Sequence, residues 1–140
     1  MNHDKDDLTE LVKDQLYAGI DGDEKELRPT YFDDPYFTSR AKAEAYSKWK
    51  DQMSQRGESI FAPRRPGTPN LIITGTAFYN LIRVDVTDSI LISASGRLVD
   101  KLESKYGKSI LKLSKTSLSY YVQDKLYNKL KKRWNEHISS

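Results

Sequence analysis

Residues 64–95, RRPGTPNLIITGTAFYNLIRVDVTDSILISAS, decide how this 140-residue chain is read. A basic, proline-punctuated run (Arg64 to Pro69) leads into Leu71-Ile72-Ile73-Thr74-Gly75 and then an aromatic step, Phe78-Tyr79. Two short alternating apolar runs follow, Ile82 to Thr87 and Ser89 to Ala94, around a Thr87-Asp88-Ser89 turn. Period-two alternation about a polar turn predicts a β-hairpin. Thr74 is placed to cap a short helix through Leu81. The segment from Glu58 to Asn70 is longer than compact domains usually keep without a use, and it reads as a mobile loop. Nothing in this stretch carries the residue types of bond-making chemistry. A loop on a small sheet is the build of an assembly module.

Helices are expected on both sides. Leu8, Leu11, Val12 and Leu16 form one apolar stripe, with Asp4 or Asp6 as the cap and Gly19 as the stop. Residues 28–38 hold two prolines and four aromatics (Tyr31, Phe32, Tyr36, Phe37) and read as an extended segment packed across the domain or on a neighbour. Ser39 then caps a helix over 40–56, ended by Gly57, with Ala41, Ala45, Tyr46, Trp49 and Met53 on its apolar face. A further helix spans Arg97 to Tyr106 and stops at Gly107. The last and longest runs to about His137 from a cap at Ser114 or Ser117, with Leu118, Tyr121, Val122, Leu126, Leu130 and Trp134 as its stripe. The order gives one α+β domain: a small antiparallel sheet, flanking helices and a long C-terminal helix. It has too few strands for a doubly wound nucleotide-binding sheet.

Composition narrows the function. There is no cysteine, which removes disulfides and thiolate metal sites. No apolar run approaches the roughly 20 residues of a membrane span. Met1 to Asp7 are acidic and polar, so no secretory signal is expected. The histidines, His3 and His137, lie near the ends, where a triad or zinc site is hard to hold rigid. Ser39-Arg-Ala-Lys42 has Ser-x-x-Lys spacing without its companion motifs, and the serine serves as the helix cap. Asp21-Gly-Asp23-Glu-Lys-Glu26 lacks the glycine and glutamate of a calcium loop. Asp85 or Asp88 with Glu103 and Lys105 only loosely matches a metal-dependent nuclease, and no phosphate-cradling glycine loop occurs. The chain is therefore expected not to be an enzyme and to use no cofactor.

Charge and aromatics point to binding instead. The net +3 conceals an acidic first forty residues, with 11 Asp/Glu against 5 Lys/Arg. Residues 97–136 hold 11 Lys/Arg against 4 Asp/Glu. Opposite ends of opposite sign suit head-to-tail self-association. Lys129, Lys131, Lys132 and Arg133 cluster beside Trp134, a pattern that also suits a nucleic-acid phosphate backbone. Nine tyrosines and two tryptophans favour interfaces, and Tyr120, adjacent to Tyr121 on a helix, is expected to face water or a partner.

The Leu71-Ile-Ile-Thr-Gly75 step with Phe78-Tyr79, after a proline-rich basic segment and an early amphipathic helix, resembles the small neck proteins of tailed bacteriophages. It is similar in particular to the tail-completion (virion morphogenesis) family. Gly19-Ile20-Asp21-Gly22, Asp34-Pro35-Tyr36-Phe37 and Lys105-Tyr106-Gly107-x-x-Ile110-x-x-Leu113 also resemble connector proteins of crAss-like gut phages. The resemblance implies a virion protein that forms a homo-oligomeric ring between portal-side and tail-side proteins, with packaged DNA in its lumen and no membrane. On this reading Tyr36, Phe61, Arg64, Arg65 and Tyr120 make contacts, and Lys129, Lys131, Lys132 and Arg133 face a neighbour or DNA. The alternative is a small nucleic-acid-binding protein that uses the basic C-terminal helix.

Overall fold

Leu8, Leu11, Val12 and Leu16 are buried along one side of α1 (Asn2–Tyr17), as their spacing demands. A computed structural model describes residues 2–53, 59–71 and 75–139 of the chain. The proposed Gly57 stop and Thr74 cap lie outside these residues, as do the side chains of Met53 and Leu126. Helix α1 already runs from Asn2, so Asp4 and Asp6 sit inside it and do not cap it. Gly19 ends the helical path with φ +77°, its N–H donating to Leu16 O at 3.0 Å.

After α2 (Arg40–Met53) and α3 (Gly75–Leu81), strands β1 (Arg83–Val86) and β2 (Ile90–Ser93) form an antiparallel hairpin. Val84 faces inward, while Asp85 and its register partner Leu91 face out. Helix α4 (Arg97–Tyr106) stops at Gly107, whose N–H donates to Glu103 O at 2.8 Å. A 3₁₀ turn (Lys108–Leu111) leads to α5 (Lys115–Tyr120), a π turn (Tyr121–Leu126) and α6 (Tyr127–Ser139). The chain is α+β, with a two-stranded sheet, flanking helices and a long C-terminal helix. One core cluster joins Val12, Leu16, Leu27, Leu71, Phe78, Ile82, Val99 and Ile110. A second joins Leu8, Leu11, Val84 and Tyr121.

Three expectations need correction. Residues 28–38 are not extended. They fold into successive tight turns, with Asp33 N–H donating to Thr30 O and Phe37 N–H to Asp34 O, both at 3.1 Å. Asp34 Oδ1 accepts from Tyr36 N at 3.0 Å and Asp33 Oδ2 from Thr30 Oγ1 at 3.2 Å, so the two aspartates before Pro35 supply turn geometry. On α2, Ala41, Ala45 and Trp49 are exposed, while Ala43, Ser47 and Lys50 are buried. The loop is packed in its second half: Gly67, Thr68, Pro69 and Asn70 are all buried, and Gly67 O accepts from Tyr31 N at 2.8 Å. Gly67 has φ +87°, and a Cβ there would strike the Phe32 ring, so no other residue fits the passage.

The ends of the chain are joined by polar groups that apolar periodicity does not register. Gln15, fully buried on α1, donates its amide to Lys112 O and accepts from Ser114 N, both at 2.8 Å. Gly22 N–H donates to Ser109 O at 2.8 Å, and its lack of a side chain lets Lys112 lie directly against it. Ser114, not Ser117, is the cap of α5: its hydroxyl accepts from Ser117 N at 3.0 Å. Replacing Gln15 by leucine keeps the volume and strands the buried Ser114 N–H and the part-buried Lys112 carbonyl. Stability should fall by about 2–4 kcal/mol, measured by urea unfolding.

Candidate interaction surfaces

Two surfaces present large apolar side chains to solvent. The first is built where the 31–38 turns meet α2. Ser39 Oγ accepts from Lys42 N at 3.2 Å and starts the helix, as the sequence implied. The aromatic rings then interlock, edge to face for Tyr31 on Tyr46 at 4.9 Å and Tyr36 on Phe37 at 5.2 Å, and tilted for Tyr46 on Trp49 at 5.8 Å. Tyr36, Phe37, Thr38, Lys42, Tyr46 and Trp49 line an open groove of about 510 Å³. Tyr36 stands 80% exposed at its rim. The Lys42 ammonium donates to Thr38 Oγ1 at 3.2 Å and not to Ser39, so the Ser-x-x-Lys spacing builds a cap and a groove wall. The sequence names Tyr36 as a contact residue, and the structure leaves it exposed. Sequence periodicity placed Trp49 with the core face, because an apolar residue at helical spacing carries no mark of which way the helix turns.

The turns that carry Tyr36 also hold a polar latch through Asp34. Lys105 donates to Asp34 Oδ2 at 2.6 Å. Burial opposes the charge on each partner, yet their hydrogen bond holds the carboxyl below and the ammonium above their ordinary values. Next to Trp49 on α2, Lys50 is 1% exposed and donates to Asn70 Oδ1 at 2.5 Å. Burial brings the Lys50 ammonium down to about 7, with Arg64 pushing the same way and Asp51 opposing. Arg64 donates to Thr68 O at 2.5 Å and pairs with Asp51. Its side chain is only 9% exposed, against 80% for Arg65, which reaches Glu26 at 3.2 Å. The two arginines therefore part company: Arg64 ties the loop to α2, and Arg65 stays on the surface.

The second surface is the C-terminal helix. Tyr121 is buried in the second core cluster, and Tyr120 packs half-buried against it. Lys129 donates to Asp7 Oδ2 at 2.9 Å and so belongs to the contact with α1. Lys131, Lys132 and Arg133 are exposed. Leu118, Val122, Tyr127, Leu130 and Trp134 are between 41% and 64% exposed. Phe61 is half-buried in the loop, its N–H donating to Ser59 Oγ at 3.1 Å.

The carboxylates considered for metal chemistry are dispersed. Asp85 pairs with Lys5 at 3.7 Å, and Asp23 with Lys112 at 2.5 Å and Ser109 at 2.8 Å. Asp21 Oδ1 is used by the backbone of Asp23 and Lys25. Among the described residues no three His, Asp or Glu side chains are grouped to hold a metal ion, and no described helix is long and apolar enough to cross a membrane.

Two measurements test this layout. Arg64→Ala should cost about 1–3 kcal/mol in urea unfolding, through the carbonyl and carboxylate it leaves unpaired. Arg65→Ala should stay within about 0.5 kcal/mol, as exposed pairs do. For Lys50 the folded value of about 7 lies below the unfolded 10.5, so the unfolded chain holds the extra proton between them. Stability therefore rises with pH from about 7 towards 9, by on the order of 2 kcal/mol, and Lys50→Met should flatten that rise. Above pH 10 the trend reverses, because burial holds Tyr31, Tyr46 and Tyr106 protonated in the fold.

No family model matches this chain, and comparison with curated proteins and with solved structures gives no match.

Proposed function

We propose that this protein is a non-enzymatic structural subunit that works by association: a ring-forming connector between the head and tail of a tailed bacteriophage. The observation that carries the reading is the run of exposed Leu118, Val122, Tyr127, Leu130 and Trp134 on one helix. A water-facing helix normally keeps a polar outer surface, and a clustered apolar stripe marks a binding face. The open aromatic groove at Tyr36 and Trp49 supplies a second contact region. Two separate contact regions on one subunit suit an assembly with several neighbours, such as copies within a ring and portal-side and tail-side proteins above and below it. The neck-protein motifs at Leu71–Gly75 and Phe78-Tyr79 favour the same reading. In a ring around packaged DNA, exposed Lys131 and Lys132 would have phosphate within reach.

The second reading, a nucleic-acid-binding protein, is favoured by those exposed lysines beside Trp134. Mass measurement and electron microscopy of the purified chain, alone and with candidate portal and tail proteins, separate the two. The connector reading expects rings, formed alone or on the portal partner, and incorporation into virions. A chain that stays monomeric beside every virion protein, yet binds DNA with a steep salt dependence at micromolar concentration, would overturn it in favour of the rival.

A further inference from the structure

The exposed apolar residues of the C-terminal helix are spaced 118, 122, 127, 130 and 134. The step of five between Val122 and Tyr127 falls at the π turn, where Tyr127 N–H donates to Val122 O, five residues back. A π turn absorbs one extra residue, so all five side chains share an arc of about 80°. Ser117 and Tyr121 are buried, and Lys129 meets Asp7 on α1. These three mark the inner side of the helix. The apolar face lies beside it, with Lys131 and Arg133 on its two flanks. The spacing is nearly the same read from either end, with Tyr127 close to the middle.

We infer that in the free chain this face is closed against the same face of a second copy, with the two helices antiparallel. The inference rests on the reading of this helix as an association surface, and it adds a state that precedes the ring. Charge selects the direction. Parallel helices would set Lys131 of one copy beside Arg133 of the other, and one acidic 21–26 turn beside the next. Antiparallel helices lay the basic end of each copy along the root of the other. That root carries the 21–26 turn, four carboxylates against one lysine, fixed there by Thr116 N–H donating to Glu24 at 3.2 Å. Lys112 takes up Asp23, while Glu24 stays exposed at the start of the helix. The apolar geometry agrees: Trp134 comes level with Leu118 of the other copy, and Leu130 with its Val122. Ten half-exposed apolar side chains leave water together. A two-fold contact uses up both faces and cannot propagate. The pair therefore keeps the face covered until a ring neighbour or portal-side protein displaces it.

The absence of native cysteine makes a direct test available. Val122→Cys and Leu130→Cys chains are prepared separately, mixed and mildly oxidised. A disulfide needs Cα atoms within about 7 Å, so only residues that come level can link. Antiparallel pairing gives the mixed dimer in excess of either self-linked one, whereas parallel pairing gives only self-linked dimers. Sedimentation of the cysteine-free chain should show a dimer. Leu130→Ser with Trp134→Ser should weaken it by about tenfold or more, with circular dichroism confirming that the helix is kept. A chain monomeric at every concentration, self-linked species in excess, or an undiminished dimer in the double serine variant would each overturn the inference. The oxidised mixed pair should form no rings on the portal partner until it is reduced, and rings built from the locked pair would also overturn it. Rings from the reduced chain without any mixed crosslink would overturn this contact and leave the connector reading standing. A mixed crosslink from a chain that never forms rings would do the reverse.

Discussion

The side-chain amide of Gln15 holds the molecule together at its least obvious point. Buried on α1, it occupies both a carbonyl and an N–H of the 112–114 segment, replacing the backbone partner that a further strand would have given. A buried backbone group without a partner costs on the order of 1–3 kcal/mol, so the segment has one low-energy position. Around this joint the acidic 19–26 turn closes on the same segment. Gly22 lies against Lys112, Asp23 holds Lys112 and Ser109, and Glu24 accepts from Thr116 N at 3.2 Å. The Thr116 contact is the main reason the Glu24 carboxyl sits below its ordinary value.

The direction of the C-terminal helix follows from that joint. Ser114 begins it beside Gln15, Tyr121 enters the second core, and Lys129 meets α1. Attachment on one side leaves the neighbouring side open, and the π turn collects the apolar residues there. The helix is thus held along one side, through Ser114, Tyr121 and Lys129, and exposed along the neighbouring one.

A different compromise shapes the aromatic groove. Helix α2 turns Ala43, Ser47 and Lys50 inward and Trp49 outward. Burying a lysine is costly, and Asn70 offsets part of that cost by accepting from its ammonium. The result brings the proline-rich loop down onto the helix, where Arg64 secures it through Asp51 and Thr68. It also frees Tyr46 and Trp49 to form a wall with Tyr36 and Phe37.

Local signals were legible without the structure. The α1 stripe, the hairpin, the Arg97–Tyr106 helix with its Gly107 stop, and caps at Ser39 and Ser114 each depend on residues a few positions apart. The basic cluster at Lys131 to Arg133 was likewise recognisable as a surface feature. The turns of residues 28–38, the inward face of α2, the burial of Gln15 and Lys50, and the separate roles of Arg64 and Arg65 were not. Each depends on a partner far along the chain: Lys112 and Ser114 for Gln15, Asn70 for Lys50, Asp51 for Arg64. Periodicity treats apolar character as a proxy for burial. A polar side chain goes inside when a distant group satisfies it, and only the folded chain brings that group within reach.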